Sequence, residues 1–209
     1  MKKVAFLFSG RGTLLKTVED CLESLSIESE VTLVITNNSE IDPKQLGIQK
    51  EADFYCLDHK NYATRNEHEK EIASLLDKYQ IDLIVLGGYR RIFSSDFIDS
   101  YSYKTINTHP SLLPAFVGDK AQLNAIKTGV RITGATVHFI NNEVDQGPII
   151  TQAAVQVKPY YSEQDLKEAI INVEKKALAR AVKLFIENKL QIEDNVVHVP
   201  AGYEEELFV

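Results

Sequence analysis

Short apolar runs that alternate with amphipathic stretches constrain this chain more than any other feature. Val4 to Phe8, Val31 to Thr36, Phe54 to Leu57 and Leu83 to Leu86 read as strands, and between them Leu14 to Leu25, Pro43 to Ala52 and Arg65 to Tyr79 read as helices. That rhythm predicts βαβ units and a mostly parallel sheet. The strand runs are nearly all apolar rather than alternating, the pattern of a sheet covered by helices on both faces. Ligands in such sheets bind beyond the carboxyl ends of the strands.

The pattern changes after Thr105-Ile106-Asn107. Ala135 to Ile140 and Ile149 to Val157 read as two longer strands joined by the turn-rich stretch Asn141 to Pro148, a hairpin beside the parallel part. Ser162 with Asp165 is a capping signal for a helix from about Glu163 to Leu190, with Leu166, Ile170, Val173, Ala177, Ala181, Leu184 and Phe185 at helical spacing. A short polar tail containing Pro200 and Gly202 follows. With 209 residues, 44% of them hydrophobic and 25% charged, the chain reads as one α/β, Rossmann-like domain over 1–209. Its N-terminal half runs to about residue 100 and its C-terminal half from about 101 to 190.

A net charge of -7 disfavours a broad nucleic-acid or membrane surface and favours a small-molecule substrate. The first apolar run is too short for a signal sequence or a membrane span, so a cytoplasmic protein is expected, as a monomer or homodimer. Cys21 and Cys56 read as reduced, partly buried core residues. Two thiols cannot build a zinc cluster, and no histidine pair has a metal-ligand spacing, so no metal is expected.

The chemistry concentrates in Asn107-Thr108-His109-Pro110-Ser111-Leu112-Leu113-Pro114 and in Asp145-Gln146-Gly147-Pro148. An amide N–H can hold a developing oxyanion, a histidine with a pKa of about 6.5 can move a proton at neutral pH, and a carboxylate can orient that proton. These are the parts needed for acyl transfer. Ser9-Gly10-Arg11-Gly12-Thr13 follows the first strand, where backbone N–H groups and a helix N-terminus can hold a phosphate; a tight turn needing glycine for geometry alone is the plainer alternative. Leu15 stands where a dinucleotide fingerprint would place its third glycine. Gly87 to Phe93 follows the fourth strand, where glycines let a flat ligand approach the backbone. His138 reads as a half-buried, hydrogen-bonded strand residue, and His59, His68 and His198 read as surface residues.

Together these stretches resemble the phosphoribosylglycinamide formyltransferases, and the resemblance runs nearly end to end. It implies a formyltransferase fold, an enzyme of de novo purine biosynthesis, and 10-formyltetrahydrofolate as cosubstrate with no tightly bound cofactor. It implies Asn107, His109 and Asp145 as the catalytic trio. The acceptor, glycinamide ribonucleotide, would have its phosphate at Gly10, Arg11, Gly12 and Thr13 and a ribose hydroxyl at Glu174. The folate pocket would include Arg65, Arg90, Arg91, Ile92, Phe93, Asn141 and Val144.

Three departures accompany the resemblance. The family's loop usually reads Gly-x-Gly-Ser-Asn, whereas Thr13 and Leu14 stand here; Arg90 replaces an apolar residue; and Asp119 to Gln122 differs from the usual segment. Transfer to another amine, such as an amino sugar nucleotide, therefore stays open, as does a non-catalytic ligand sensor. Methionyl-tRNA formyltransferase and formyltetrahydrofolate hydrolase share the central motif but are expected to carry further domains.

Overall fold

The computed structural model describes residues 1–48 and 52–208. The chain packs as two compact units, Met1–Asn107 and Thr108–Val209. The first contains β1 (Lys2–Phe8), α1 (Leu15–Ser24), β2 (Ser29–Thr36), β3 (Asp53–Cys56), α2 (Arg65–Tyr79), β4 (Leu83–Leu86), α3 (Ser95–Tyr101) and the first residues of β5 (Thr105–His109). Its strands run in the order β3-β2-β1-β4-β5, every neighbouring pair parallel.

β1 lies in the middle of this sheet because every side chain from Val4 to Phe8 is apolar and 0% exposed. Leu33, Val34, Ile35, Leu83 and Val85 on its neighbours are also 0% exposed. Each of these Val, Leu, Ile and Phe side chains contributes about 1.5–3 kcal/mol relative to leaving it in water. The chain moves from β1 outward through β2 to β3, then returns to β4 on the other side of β1. That reversal is the crevice where α/β sheets hold ligands. The loops after β1 and β4 meet there: the Ser9 N–H donates to Gly88 O at 3.2 Å and the Arg90 N–H to Ser9 Oγ at 2.8 Å.

α2 keeps its expected bounds because both ends are specified. The Thr64 side chain accepts the Glu67 N–H at the N-cap, and Gln80 closes the helix in the left-handed region at φ 55. The expected helix from Pro43 to Ala52 is corrected to a single 3₁₀ turn, Pro43–Gln45. Proline and an Asp42 cap start it, but Gly47 at φ 63 turns the chain away; Gln49 to Glu51 lie outside the described residues. Cys21 is buried as expected, whereas Cys56 is exposed, since the β3 pattern places it on an open face.

His68, expected at the surface, is 3% exposed. It sits with Ile72, Leu75 and Leu76 on the buried stripe of α2, and its Nε2 lies 3.0 Å from Leu57 O. Burial pushes its pKa below the usual value, and the Leu57 carbonyl only partly opposes this. The folded protein therefore holds His68 neutral, while the unfolded chain takes a proton near pH 6.5. Stability from this group is present above that pH and lost as pH falls below it. Urea midpoints measured from pH 7.5 to 5 should decline, and His68→Gln, which keeps an N–H donor, should flatten the decline; an unchanged slope in the variant would remove His68 as its source.

The second unit holds the end of β5, α4 (Ala121–Thr128), β6 (Ile132–Phe139), β7 (Ile149–Gln156), α5 (Glu163–Ile186), β8 (Gln191–Glu193) and β9 (Val196–His198). β6 and β7 form the expected antiparallel hairpin, with a register shift between Val137 and His138. α5 begins with the Ser162–Asp165 capping box and lies against both strands, burying Leu166, Ile170, Ala177, Leu178, Ala181 and Val182. It ends at Ile186 rather than near Leu190, because Asn188 at φ 54 cannot continue a helix. The expected polar tail contains the hairpin β8–β9 and a 3₁₀ turn, Glu204–Leu207. No helix among the described residues is long and apolar enough to cross a membrane.

Candidate functional site

β5 carries Asn107 and His109 two residues apart, which puts both side chains on one face of the strand. Beyond His109 the chain turns through Pro110 to Pro114, and the peptide before Pro114 is cis. His109 is 5% exposed. Its Nδ1 lies 3.2 Å from Asp145 Oδ2 and its Nε2 lies 2.8 Å from Phe116 O. Both ring nitrogens thus face oxygen acceptors.

Asp145 is delivered by the loop between β6 and β7. Asn141 folds that loop on itself, its Oδ1 accepting the Glu143 N–H at 3.0 Å and its Nδ2 donating to Gln146 O at 3.1 Å. Asp145 itself adopts φ 56, which points its carboxylate back toward β5. The same Oδ2 that meets His109 accepts the Gly118 N–H at 3.0 Å. Gly147 completes the turn: a Cβ there would sit 1.8 Å from Phe139 O, so only glycine allows the approach.

A second imidazole joins this carboxylate. His138 Nε2 lies 3.8 Å from Asp145 Oδ1, and its Nδ1 lies 2.7 Å from Phe139 O. At 2% exposure His138 is fully buried rather than half-buried, because helix α5 covers the strand that bears it. Burial pushes its pKa down, and the Phe139 carbonyl and Asp145 only partly oppose this. A largely covered carboxylate between two histidines, one against acceptors on both nitrogens and one held neutral, can orient a ring and take up or release a proton. Sequence reading missed the part played by His138, although the alternation along β6 already set His138 on the same face as Thr136. It also missed the Gly118 N–H and the Phe116 carbonyl, which no side-chain pattern signals.

The remaining candidates fall into separate groups. Gly10, Arg11 and Thr13 are exposed and Gly12 is half-buried at φ 67, packed so closely on Phe8 and Leu46 that a Cβ would meet Leu46 Cδ2 at 3.0 Å. Helix α1, which follows, has Leu14 as its N-cap, no side-chain cap bond and no acidic residue in its first turn. Its N-terminal N–H groups therefore lack a capping side chain, the condition that suits an anion.

In the Gly87 to Phe93 loop Arg90 and Ile92 are exposed and Arg91 is half-buried. Phe93 stacks between Tyr89, at 5.4 Å between ring centroids, and Phe97, at 4.0 Å. The buried Tyr89 hydroxyl has no hydrogen-bond partner among the described residues. Arg65 opens α2 and is exposed. Asn141 and Val144 stand on the Asp145 loop, Val144 at 44% exposure. Glu174 lies on the buried face of α5 at 8% exposure, where burial raises its pKa against an opposing hydrogen bond from Thr108. Among the described residues no group of three or more histidines, cysteines or carboxylates could hold a metal ion.

The pattern of the family described as formyl transferase matches residues 2–182. The chain is 34% identical to phosphoribosylglycinamide formyltransferase of Haemophilus influenzae over 199 residues, covering 95% of this chain and 94% of that protein. It is 39% identical over 170 residues to formyltetrahydrofolate deformylase of the same organism, covering 81% of this chain and 60% of the deformylase. It is 35% identical over 190 residues to the trifunctional purine biosynthetic protein adenosine-3 of Gallus gallus, covering 91% of this chain but 19% of that longer protein. The crystal structure of phosphoribosylglycinamide formyltransferase from Anaplasma phagocytophilum superposes with a TM-score of 0.87 at 32% identity, covering 100% of this chain and 98% of the other.

Proposed function

Because the chain belongs to the formyl transferase family, we propose that it transfers the formyl group of 10-formyltetrahydrofolate to the amine of glycinamide ribonucleotide. The observation that carries this reading is the buried pairing of His109 with Asp145 at 3.2 Å, two residues beyond Asn107, in a chain similar to phosphoribosylglycinamide formyltransferases over nearly its whole length.

The acceptor amine attacks the formyl carbon, forming a C–N bond and a tetrahedral oxyanion. The Asn107 amide and a protonated His109 stabilise that oxyanion, while Asp145 holds the imidazole in orientation. The bond from the formyl carbon to N10 of the folate then breaks, and the proton lost by the amine passes to N10. Products are the N-formyl amide and tetrahydrofolate. For His109, held on Phe116 O, this contact is exchanged for the substrate's oxygen on binding.

In this reading the Gly10 to Thr13 loop and the uncapped start of α1 hold the acceptor phosphate, and Glu174 meets a ribose hydroxyl. Arg65, Arg90, Arg91, Ile92, Asn141 and Val144 contribute to the folate pocket; Phe93 contributes by shaping the loop from within its aromatic stack. The protein then needs no resident metal or prosthetic group. A cytoplasmic location fits its substrates.

One rival is supported by a specific observation: the higher identity, 39%, is to a deformylase. There water would replace the amine and formate would be released. An acceptor phosphate site is of no use to that reaction, so the Gly10 to Thr13 loop favours transfer. The two separate in a spectrophotometric assay of donor consumption. Consumption that requires glycinamide ribonucleotide supports transfer, and equal consumption without it establishes hydrolysis instead.

A further inference from the structure

The turn that follows His109 has one backbone bond of its own, from the Ala115 N–H to Leu112 O at 3.0 Å, and is otherwise held by side chains. The Thr136 hydroxyl donates to Ser111 O at 2.7 Å and accepts the Leu113 N–H at 3.0 Å. Gln152 Nε2 donates to Leu113 O at 2.9 Å and to Thr136 Oγ1 at 3.1 Å. A hydroxyl has one donor and two acceptor sites, so every hydrogen-bonding position of Thr136 is used. Thr136 and Gln152 are register partners across β6 and β7, which places both on one face of the hairpin, facing the turn. Ser111 and Thr136 are 0% exposed, so these groups have no water to fall back on.

Gln152 is anchored from behind as well. Its backbone bridges to Phe208 at the end of the chain, and Arg180 Nη1 donates to Glu205 O at 2.8 Å and to Phe208 O. Lys183 pairs with Glu206 at 2.8 Å on the same strap. The strap covers the outer side of β7 and fixes the strand from which the glutamine reaches inward.

We propose that Gln152, acting with its register partner Thr136, is a positioning residue for His109: it sets the Ser111–Leu113 turn and thereby the angle at which the imidazole meets the reacting carbonyl. The proposal rests on the formyl-transfer reading for its kinetic consequence, but its geometric content does not depend on the acceptor. The amide fold of Gln152 is required in two ways, as donor to Leu113 O and as support for Thr136, so an apolar side chain of equal length loses both.

The test compares Gln152→Met, Thr136→Val and Thr136→Ser with the parent protein. Small misplacements of reacting groups cost up to about 100-fold; Gln152→Met is expected to lower kcat about tenfold while KM for donor and acceptor stays within about twofold. Thr136→Ser keeps all three bonds and should retain activity, whereas Thr136→Val should lose at least as much as Gln152→Met. The ring-nitrogen resonances of His109 provide a readout free of turnover, and should shift in Gln152→Met. Unchanged resonances with unchanged kcat would overturn the proposal. So would a loss carried by KM, or equal losses in Thr136→Ser and Thr136→Val. Should the parent show no turnover with any acceptor, the transfer reading fails and the resonances alone decide the positioning.

Discussion

Replacing His109 with alanine is expected to lower turnover by about 1,000-fold while leaving donor and acceptor binding within a few-fold. The size follows from the role proposed for the ring: general acid–base catalysis and oxyanion stabilisation each contribute about 100 to several thousand-fold. Binding survives because the residues proposed to hold the acceptor phosphate and the folate are other side chains. Asp145→Asn should produce a loss of similar order, since its Oδ2 meets both His109 Nδ1 and the Gly118 N–H, and an amide there either sets its NH2 against both or keeps an oxygen that carries no charge. The double variant should be little worse than either single one, because residues that act as a unit are not additive. Steady-state kinetics with unfolding midpoints as the control decide this. A turnover loss below about tenfold in His109→Ala would mean that the chemistry lies elsewhere.

Gly147→Ala should be among the most damaging single-methyl additions near the site. The new Cβ would lie 1.8 Å from Phe139 O and 2.7 Å from Phe139 C, both backbone atoms of β6 that cannot swing aside. Either the Asp145 loop lifts or β6 bends. The cost is about 3 kcal/mol, as for other overpacked positions, equivalent to a fall in Tm of roughly 6–12 °C for a chain of this size. Activity should fall further than stability explains, because the lifted loop carries Asp145 away from His109. Gly202→Ala is the matched control. Its φ of 91 makes any side chain strained, but nothing lies within 4 Å of the new Cβ, so only about 1–2 kcal/mol should be lost and turnover should persist. Equal thermal shifts in the two variants would refute the close-packing argument.

The parallel sheet was legible because Val4 to Phe8 and Leu83 to Leu86 are uninterrupted apolar runs bounded by turn residues. α2 was legible to the residue because Thr64 and Gln80 specify its ends. The β8–β9 hairpin escaped notice although its signal was present: Asp194 and Asn195, at φ 50 and 63, are the residue types that a type I′ turn demands. His68 was misread because it is polar, yet its spacing to Ile72, Leu75 and Leu76 marks it as part of the buried stripe. Cys56 was misread in the opposite direction, an apolar residue on the open face of a four-residue strand.

At the candidate site, the pairing of His109 with Asp145 depended on two features that spacing does not encode. One is the positive φ of Asp145, the other the contact of Gly147 with Phe139. Thr136 and Gln152 were invisible for a related reason. Each looks like an ordinary strand residue until the β6–β7 register brings them together beneath the turn.

The fate of the formyl carbon tests the central claim most directly. A donor labelled with carbon-13 in its formyl group would be given to the protein together with glycinamide ribonucleotide and an amino sugar nucleotide at equal concentration, and the products separated by mass. The account predicts label on the glycinamide ribonucleotide amine, with little formate and none of it on the sugar. Label recovered mainly as formate, or mainly on the sugar nitrogen, would contradict it.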